Sequence, residues 1–588
     1  MKKNTLPTWD LTPLYKDTKA WQKDFDAIRP LADAFLKCKG TLAISADHLK
    51  KAMDLLTDYN RLVDKVYTYA YLKSDEDTRI SEHQARKDSI QRLLAQLSEN
   101  DAWFQPEVLE IPEKKMAAFL KSPQLAFHRL ELTRILRGRG HSLSEAENRI
   151  LGNFSEALSS PEKTFSMLNN ADISFGKIDD DTGKRLELTH GNYSMFLMNP
   201  DRAVRRRAYR RVYETYAKLR NTFAATMDAH VTKDVVSARV HNHPSALEMA
   251  LYGDNVPKEV YLQLIDTVHA HLPALHEYLA LRARRLGLGK LSMWDLMVPL
   301  EKGVDKTYTW PETVRMVKEG LAPLGKEYLS ILERAFTQRW IDAQERPGKR
   351  SGAYSGGCHD SYPYILLSAN GTINDAFTLA HEGGHSMHSF FSRQNQEYPY
   401  SEYRIFVAEV ASTTNEILLA EHLLQTCTDA PLQRYLLAHL ADEIRTTIYR
   451  QTQFAEYELK IHQAVEEGQS LTADFLEKTY YDLNEQYYGL HADKLIAHEW
   501  SRIPHFYYNF YVYKYATGMS AALQLTHNIL HGTAAQKKAY FGFLKAGCSK
   551  DVLDIMKDAG VDLTSPKPVE TALEYFAEIV HRLDRASK

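Results

Sequence analysis

Two histidines spaced four residues apart, His381 and His385, are the side chains in this sequence best placed for metal chemistry. They belong to the run His381-Glu382-Gly383-Gly384-His385. Residues at i and i+4 share one face of a helix, so both imidazoles can reach a single Zn²⁺. Glu382 would be rotated by about 100° from His381, beside the metal rather than on it. That is the position of a base that takes a proton from a metal-bound water.

The motif alone is weak evidence, because 24 histidines in 588 residues would produce it by chance in roughly one of ten to twenty such chains. Two surface histidines on an ordinary helix are the alternative. Gly383 and Gly384 argue against that alternative, since two adjacent glycines inside a helix cost roughly 1–2 kcal/mol relative to alanine. We therefore expect another backbone or a ligand to approach the helix closely at these glycines.

A catalytic zinc site needs a third protein ligand, and Glu409 is the best candidate. It lies among the small and apolar residues of 406–412, where a buried carboxylate without a partner would be costly. Glu416 follows seven residues later on the same helical face. It is predicted to support a ligand histidine, with a plain solvent-facing acid as the alternative. Glu397 and Glu402 compete as third ligand, but their polar surroundings indicate a loop.

The stretch 503–518 combines one histidine with several tyrosines. On a helix, Tyr508, Tyr511 and Tyr515 would lie within about 60° of one another. His505 would lie about 60° further round the same helix. Aromatic stripes are more often part of a core, but a buried tyrosine hydroxyl requires a hydrogen-bond partner. Beside a zinc ion, these hydroxyls and the imidazole would be donors to a developing oxyanion.

The elements that must position these side chains are mainly helices. Apolar residues recur at three-to-four spacing, with few glycines, in the stretches 49–72, 204–219, 260–286 and 432–467. The metal-binding motif itself is predicted to lie on a helix that begins near Asn374. The sequence therefore indicates a mainly α fold.

Two segments interrupt the helical pattern. In the first, 173–190, two short alternating runs flank an Asp-Thr-Gly turn at 181–183, which predicts a β-hairpin. We place a border near this hairpin, between an N-terminal helical region at 1–200 and a catalytic region at 201–588.

The second segment, 346–375, is rich in glycine and leads into the metal-binding motif. Within it, the run PYILLS at 363–368 predicts a short strand followed by a turn. A loop, a strand and a turn that feed directly into a helix often line a cleft.

Composition restricts the class of protein. Hydrophobic residues make up 44% and charged residues 25% of the chain, as in folded soluble proteins. The net charge, 73 − 76 = −3, gives no general attraction to nucleic acid or to an anionic membrane. The four cysteines are scattered, which argues against a disulfide scaffold and favours a reducing compartment. We predict a cytoplasmic protein that binds neither nucleic acid nor membrane, with an oligomeric state that the sequence does not define.

Two local features have competing interpretations. The arginine-rich run 202–211 would suit RNA, but it continues into Glu214, and a solvated helix face is favoured. Cys358 and His359 would suit a thiol nucleophile with its base, but adjacent residues in a loop rarely point at each other.

Several motifs together resemble one known family. TLAHEGGHSMHSFFS at 378–392, followed by FVAEVAST at 406–413, resembles the M3 family of zinc oligopeptidases, in its oligoendopeptidase F branch. TWDLTPLY near the start, MWDLMVPL at 293–300, SGAYSGG, RIPHFYYNFYVYKYATG and GVDLTSP occur in the same order as in that branch. The resemblance thus extends over nearly the whole chain.

The resemblance implies a mainly α, helical zincin fold of the M3 (neurolysin-like) kind. It implies a deep substrate channel between two halves and a small β-sheet beside the zinc helix. PYILLS is the candidate edge strand of that sheet, and an extended peptide would pair with it through main-chain hydrogen bonds. Gly352, Ala353 and Tyr354 in SGAYSGG are the candidate substrate-binding residues.

The resemblance also implies roles for the site residues and an activity. The zinc ligands would be His381, His385 and Glu409, with Glu382 as general base. His505 and one tyrosine would stabilise the transition state; Tyr515 is the first choice, then Tyr508 and Tyr511. The implied enzyme is a metalloendopeptidase with one Zn²⁺ per chain that hydrolyses internal bonds of short oligopeptides. An exopeptidase and a metal-bearing peptide-binding protein are the alternatives, although pure binding has no use for a base.

Overall fold

The structure is a computed structural model that describes residues 6–301, 306–490 and 493–586. Most of these residues lie in α-helices, which confirms the predicted fold class. The first elements of the chain are α1 (Thr18–Leu36), α2 (Ala46–Glu76), α3 (Ser81–Asp101), α4 (Phe104–Glu110), α5 (Glu113–Lys121), α6 (Arg129–Arg137), α7 (Glu145–Leu158), α8 (Ser160–Met167), β1 (Lys177–Asp179), β2 (Arg185–Glu187), α9 (His190–Leu197), α10 (Arg202–Lys218), α11 (Arg220–Val240), α12 (Ala246–Tyr252), α13 (Lys258–Ala270) and α14 (Leu272–Arg285).

The remaining elements include three short strands close to the metal-binding motif. They are α15 (Trp310–Gly320), α16 (Gly325–Thr337), β3 (Ile341–Asp342), β4 (Tyr354–Gly356), β5 (Tyr364–Leu366), α17 (Ile373–Asn395), α18 (Ala408–Thr426), α19 (Ala430–Ile444), α20 (Arg450–Glu466), α21 (Ala473–Tyr488), α22 (Tyr513–His531), α23 (Ala534–Ala546), α24 (Val552–Asp558) and α25 (Lys567–Arg585). None of the described helices combines the length and the apolar character needed to span a membrane.

Two of the long predicted helices are interrupted. The stretch 260–286 forms α13 and α14, because Pro273 lies in the first turn of α14, the position where proline starts a helix. The stretch 432–467 forms α19 and α20, joined by the π-helical turn Arg445–Tyr449. Apolar spacing predicts the helical residues correctly in both stretches. Pro273 marks the first break in the sequence, whereas the spacing gives no sign of the second.

The chain divides into two compact units, each built from separated segments. The first unit contains residues 1–145, 306–422 and 525–560. The second unit contains residues 146–305, 423–524 and 561–588. The predicted border at residue 200 coincides with none of these boundaries, and the assignment of catalysis to 201–588 stays a prediction.

The predicted β-hairpin forms in the second unit. Strands β1 and β2 pair antiparallel with Ile178 opposite Leu186. The turn between them includes Gly183, whose φ of +81° lies in the left-handed region that glycine adopts without strain.

The three-stranded sheet in the first unit differs from the prediction in one respect. PYILLS forms β5, but the strand order is β3-β5-β4, so β5 is the central strand and its prediction as an edge strand is wrong. The reason is burial: all three β5 residues are buried, as in strands covered on both faces. Strand β3 runs parallel to β5 and β4 runs antiparallel to it. The strands at the edges are therefore β3, at 341–342, and β4, at 354–356.

Helix α17, which carries the metal-binding motif, starts one residue before the predicted position. A capping box joins Thr372 and Asp375, and the Asp375 carboxylate accepts hydrogen bonds from the backbone N–H groups of Asn370 and Gly371. Further along, α17 packs against α23, with the rings of His388 and Phe543 4.6 Å apart. The helix is thus fixed both at its start and along its buried face.

The arginine-rich run on α10 serves contacts within the second unit. Arg202 and Arg205 each lie 2.8 Å from the fully buried Asp295, and Arg205 is itself only 3% exposed. Arg207 donates to the backbone carbonyl of Asp179, and Arg210 pairs with Glu214 on the same helix. The prediction of a wholly solvated face is wrong for Arg205, because Asp295 needs a partner in the core.

Candidate metal centre

Three side chains of the first unit converge on one point. The Nε2 atoms of His381 and His385 each lie 3.3 Å from Oε2 of Glu409. The three potential ligand atoms all lie within 4.8 Å of one another, and this is the metal-type cluster found among the described residues. The two imidazoles come from successive turns of α17, and the carboxylate comes from the first turn of α18.

The electrostatics of the cluster fit a cation. Burial alone would lower the pKa of His381, but the carboxylates of Glu409 and Glu416 outweigh it and raise that pKa to about 10. Burial would likewise raise the pKa of Glu409, yet hydrogen bonds from His381 and His385 hold it well below its usual range. Two imidazoles and one carboxylate form the donor set of many catalytic metal sites, so these residues fit a divalent metal ion.

Glu382 lies beside the cluster rather than in it. Its side chain is 6% exposed, and its Oε2 atom has no hydrogen-bond partner among the described residues. Burial raises the pKa of Glu382, although the nearby imidazoles of His381 and His385 oppose the change. A buried carboxylate with an unused acceptor atom is available to take a proton.

The structure also places the other acidic candidates. Glu416 Oε2 lies 3.3 Å from Nδ1 of His381, the ring nitrogen that does not face Glu409. Ser412 donates to Oε2 of Glu409 over 2.9 Å and orients that carboxylate. Glu402 instead accepts from Arg393, at 3.0 Å, and is exposed. The structure thus brings Glu416 to the cluster, while Glu402 is engaged elsewhere.

Close packing of α17 on α18 brings the third candidate ligand to the two histidines. A Cβ atom at Gly384 would lie 2.5 Å from Cα of Ser412 and 2.6 Å from the carbonyl oxygen of Ala411. A Cβ atom at Gly383 would make only ordinary contacts, the nearest at 3.7 Å from Leu332. The close backbone approach predicted for the two glycines therefore occurs at Gly384 and not at Gly383.

Gly384→Ala is expected to destabilise the protein and to weaken metal binding, because the methyl group forces α17 and α18 apart. Overpacking of this kind costs about 1–3 kcal/mol. Gly383→Ala is the matched control; it adds the same methyl group one residue earlier and is expected to be neutral or stabilising, since alanine is the better helix former. Thermal unfolding and metal titration of both variants test this, and equal behaviour of the two variants would contradict it.

The tyrosine-containing segment of the second unit is not one continuous helix. A 3₁₀ turn, Pro504–Tyr507, is followed by irregular backbone, and α22 begins only at Tyr513. Asn509 and Phe510 both have positive φ, 41° and 54°, which few non-glycine residues adopt. The prediction of a shared helical face for Tyr508, Tyr511 and Tyr515 is therefore wrong.

The four aromatic candidates nevertheless form one cluster within that unit. The rings of His505, Tyr508, Tyr511 and Tyr515 lie with neighbouring centroids 5.3 to 6.5 Å apart. The Tyr515 hydroxyl lies 3.5 Å from Nε2 of His505. Burial lowers the pKa of His505, whereas Tyr508 is half exposed. The cluster arises from a folded-back loop instead of a helix face.

A buried carboxylate explains why the helix breaks. Glu458 on α20 accepts a hydrogen bond from the backbone N–H of Phe510 over 2.5 Å. The Phe510 ring is 1% exposed and packs 4.5 Å from the ring of His462 and 5.7 Å from that of Tyr261. These contacts hold Phe510 in the left-handed conformation, which a helix cannot contain.

Glu458 is expected to make stability depend on pH. Burial, with a smaller contribution from Asp234, raises the pKa of Glu458 from 4.5 to about 7, and the opposing effects of His462 and the Phe510 N–H do not cancel it. Ionisation of Glu458 therefore destabilises the folded state, and stability falls as pH rises from about 4.5 through 7. Glu458→Gln removes this dependence, so its thermal midpoint relative to wild type is expected to rise across that interval.

Glu456→Gln, on the same helix, is the matched control, because ionisation of Glu456 has the opposite effect on the stability of the folded state. Burial would raise the pKa of Glu456, but its hydrogen bond to His269 lowers it, so the ionised form stabilises the folded state above pH 4.5. This variant is expected to lose stability at neutral pH relative to wild type. Thermal scans at pH 5 to 8 measure both variants, and parallel pH profiles for the two would contradict the assignment.

The predicted substrate-binding residues lie at the exposed sheet edge of the first unit. Gly352 and Ala353 are exposed, and Gly352, two residues before β4, has a φ of +91°. The Tyr354 hydroxyl donates to Asp75 over 2.8 Å, which anchors its side chain to α2. The main chain of Tyr354 is paired with Leu366 of β5, so its N–H and C=O point toward β5.

Ser355 is not among the residues predicted from the sequence. It is the residue of β4 whose main-chain N–H and C=O point away from the sheet. The backbone N–H groups of Ile365 and Leu367 bond to the residues of the β3 side, Trp340 and Asp342. Backbone direction alternates along a strand, so the groups that face β4 belong to Tyr364 and Leu366. Ser355 lies opposite Ile365, and its N–H and C=O therefore point away from β5. They have no partner among the described residues. Only the strand register could reveal this.

Cys358 and His359 do not form a nucleophile and its base. The Cys358 thiol is buried, and burial raises its pKa, the opposite of the change that activates a thiol. The ring of His359 instead makes an edge contact with Tyr398. This outcome agrees with the interpretation favoured from the sequence.

Comparisons with known proteins agree over nearly the whole chain. A model of peptidase family M3 matches residues 195–575, and a model of oligopeptidase F matches residues 107–175. Oligopeptidase PepF of Bacillus subtilis (strain 168) is 44% identical over 98% of this chain and 87% of its own length. Group B oligopeptidase PepB of Streptococcus agalactiae serotype III (strain NEM316) is 40% identical over 98% of this chain and 96% of its own.

Solved structures agree as well. The crystal structure of oligoendopeptidase-F from Enterococcus faecium is 35% identical and matches with a TM-score of 0.76, over 96% of this chain and 99% of that one. A crystal structure from Chlamydophila abortus is 37% identical and matches with a TM-score of 0.94 over 98% of both chains.

A mainly helical fold with two histidines and a glutamate on adjacent helices defines the class of HExxH metallopeptidases. The chain belongs to peptidase family M3, whose model matches well over half of it. It is a metalloendopeptidase, and its relatives of the oligopeptidase F type match nearly its full length. The resemblance inferred from the sequence motifs is confirmed.

Proposed function

We propose that this chain is a zinc-dependent oligoendopeptidase that hydrolyses internal bonds of short peptides. The observation that carries the proposal is the convergence of His381, His385 and Glu409 beside the buried carboxylate of Glu382. Two imidazoles and one carboxylate would hold Zn²⁺, with Glu416 orienting His381 through its other ring nitrogen. The names of the relatives, oligopeptidase and oligoendopeptidase, support peptides as substrates.

The proposed chemistry assigns the proton transfers to Glu382. A bound Zn²⁺ would polarise the scissile carbonyl and lower the pKa of an attacking water. Glu382 takes a proton from that water as it attacks the carbonyl carbon, and then passes the proton to the leaving amine. Burial favours this role, because a carboxylate removed from bulk water has a pKa closer to neutrality.

The proposal retains His505 and Tyr515 as hydrogen-bond donors to the developing oxyanion, as the family resemblance implies. Their contact within the second unit supports a joint action, since the hydroxyl lies 3.5 Å from the imidazole. Burial lowers the pKa of His505, so the neutral ring with one N–H donor predominates at neutral pH. Tyr508 and Tyr511 remain the alternatives to Tyr515.

The edge strand β4 is proposed to bind the peptide in an extended conformation. The outward N–H and C=O of Ser355 are a free donor and acceptor of the kind that an added strand uses. Main-chain pairing is independent of side-chain identity, which suits an enzyme for varied peptides. The exposed Gly352 and Ala353 precede this strand and would extend the same contact.

Mass spectrometry of products from short peptides blocked at both ends tests the proposed function. Cuts at internal bonds are expected, with loss of all cuts in the presence of a chelator and recovery on addition of Zn²⁺. If blocked peptides stay intact while unblocked ones are trimmed from an end, the enzyme is an exopeptidase and the proposal is wrong. Recovery with Mn²⁺ but not with Zn²⁺ would contradict the choice of metal.

A further inference from the structure

One hydroxyl joins the edge strand to the metal-binding helix. Ser355 of β4 and Ser386 of α17 lie with their Oγ atoms 2.8 Å apart. Ser386 is fully buried and directly follows the candidate ligand His385. This pair of hydroxyls, of which Ser386 is buried and Ser355 partly exposed, connects the strand proposed to bind the peptide with the helix proposed to hold the metal.

The direction of the hydrogen bonds follows from a proton count. The Ser386 hydroxyl lies 3.1 Å from the carbonyl oxygen of Pro363, which can only accept. Ser386 has one hydroxyl proton and gives it to Pro363, so Ser355 is the donor to Ser386. The single oxygen of Ser386 therefore links α17, β4 and the residue that precedes β5.

The position of β4 relative to the metal ligands matters because the pairing between two strands repeats over only a few ångströms. One residue of an extended peptide spans about 3.3 Å, and the pairing pattern repeats every two residues. For one particular peptide bond to reach the metal, β4 must be held relative to the metal ligands with less freedom than the length of one residue. The 2.8 Å hydrogen bond to the residue next to His385 restrains β4 relative to that candidate ligand.

We propose that the Ser355–Ser386 hydroxyl pair determines which peptide bond of a bound substrate is presented for cleavage. The two serines are positioning residues, and the main chain of Ser355 is the group that pairs with the peptide. The inference rests on the proposed peptide-binding function of β4. It predicts that loss of the hydroxyl pair changes the choice of bond more than it changes metal binding.

Ser355→Ala, compared with Ser392→Ala, tests the inference. Ser392 is equally part of α17, fully buried, and donates to the carbonyl of Ser401 over 2.5 Å, so its removal controls for the loss of one hydrogen bond on this helix. The zinc-loaded variants are given one peptide blocked at both ends, and the products are quantified by mass spectrometry. Zinc content and thermal midpoint are measured for each variant.

Ser355→Ala is expected to raise the share of cuts at neighbouring bonds by about 2–10-fold, the range expected from one neutral hydrogen bond. Ser355→Thr, which keeps a hydroxyl, is expected to restore the wild-type distribution. Ser392→Ala is expected to lower the thermal midpoint and to leave the distribution unchanged.

An unchanged distribution in Ser355→Ala overturns the inference, while wild-type cutting of the peptide still supports the proposed function. Equal broadening in Ser392→Ala also overturns it, because the effect would then be general loosening of α17. If the zinc-loaded wild type does not cut blocked peptides at all, the proposed function is wrong and the inference is overturned with it.

Discussion

Glu382→Gln is expected to leave the metal bound and to lower kcat by about 10²–10⁴-fold, the usual contribution of a general base. Glutamine has nearly the same shape but cannot take the proton from the attacking water. Oε2 of Glu382 has no partner among the described residues, so an amide there removes no hydrogen bond that the structure records. Steady-state kinetics on a blocked peptide, together with metal content by mass spectrometry, measure both parts of this expectation.

Glu402→Gln is the control for that experiment. Glu402 lies close in sequence to the candidate ligands but bonds to Arg393 instead. This variant is expected to keep its kcat and its metal. Appreciable turnover by Glu382→Gln would show that another group acts as the base, and loss of metal from Glu382→Gln would place Glu382 among the ligands.

Glu409→Ala is expected to reduce metal affinity by more than 100-fold. Its carboxylate contacts both imidazoles, so its removal opens the cluster and leaves two ligands on one helix. Glu416→Gln changes only the group that orients His381, and a loss of about 10–100-fold in affinity is expected from such a contact. Competition with a chelator of known affinity measures each dissociation constant.

The order of the three acidic variants is the decisive result. Glu409→Ala is expected to bind metal most weakly, Glu416→Gln next, and Glu402→Gln as tightly as wild type. If Glu402→Gln lost the metal while Glu409→Ala kept it, the third ligand would be Glu402 and not Glu409. Equal affinity of Glu416→Gln and wild type would make Glu416 the solvent-facing acid that the sequence left as an alternative.

The candidate centre is largely predictable from sequence because its signals are local. Histidine spacing, small neighbours around Glu409 and the two-turn offset of Glu416 all depend on the geometry of a single helix. The sequence did not indicate which of Gly383 and Gly384 is approached by another backbone. The answer depends on which face of α17 meets α18, and only the contact with Ala411 decides that.

Three differences that concern the site share one physical cause, because each depends on a partner distant in sequence. PYILLS is central because the two-residue strand β3 pairs with it, and two residues carry no alternating pattern. The tyrosine segment leaves the helix because Glu458, more than fifty residues earlier, holds the N–H of Phe510. The outward direction of the Ser355 main chain depends on the register of β4 on β5, and that register follows from long-range pairing rather than from residue type.

The segmented first unit has a consequence for how the enzyme is made. The helix α17 with its histidines is synthesised before α23, yet α17 is packed on α23, where the rings of Phe391 and Phe541 lie 5.5 Å apart. A chain emerging from the ribosome therefore lacks part of the support for its metal centre until residues 525–560 have been translated. We therefore expect peptide hydrolysis to await a nearly finished polypeptide, and we expect chains that end before residue 525 not to act as stray proteases.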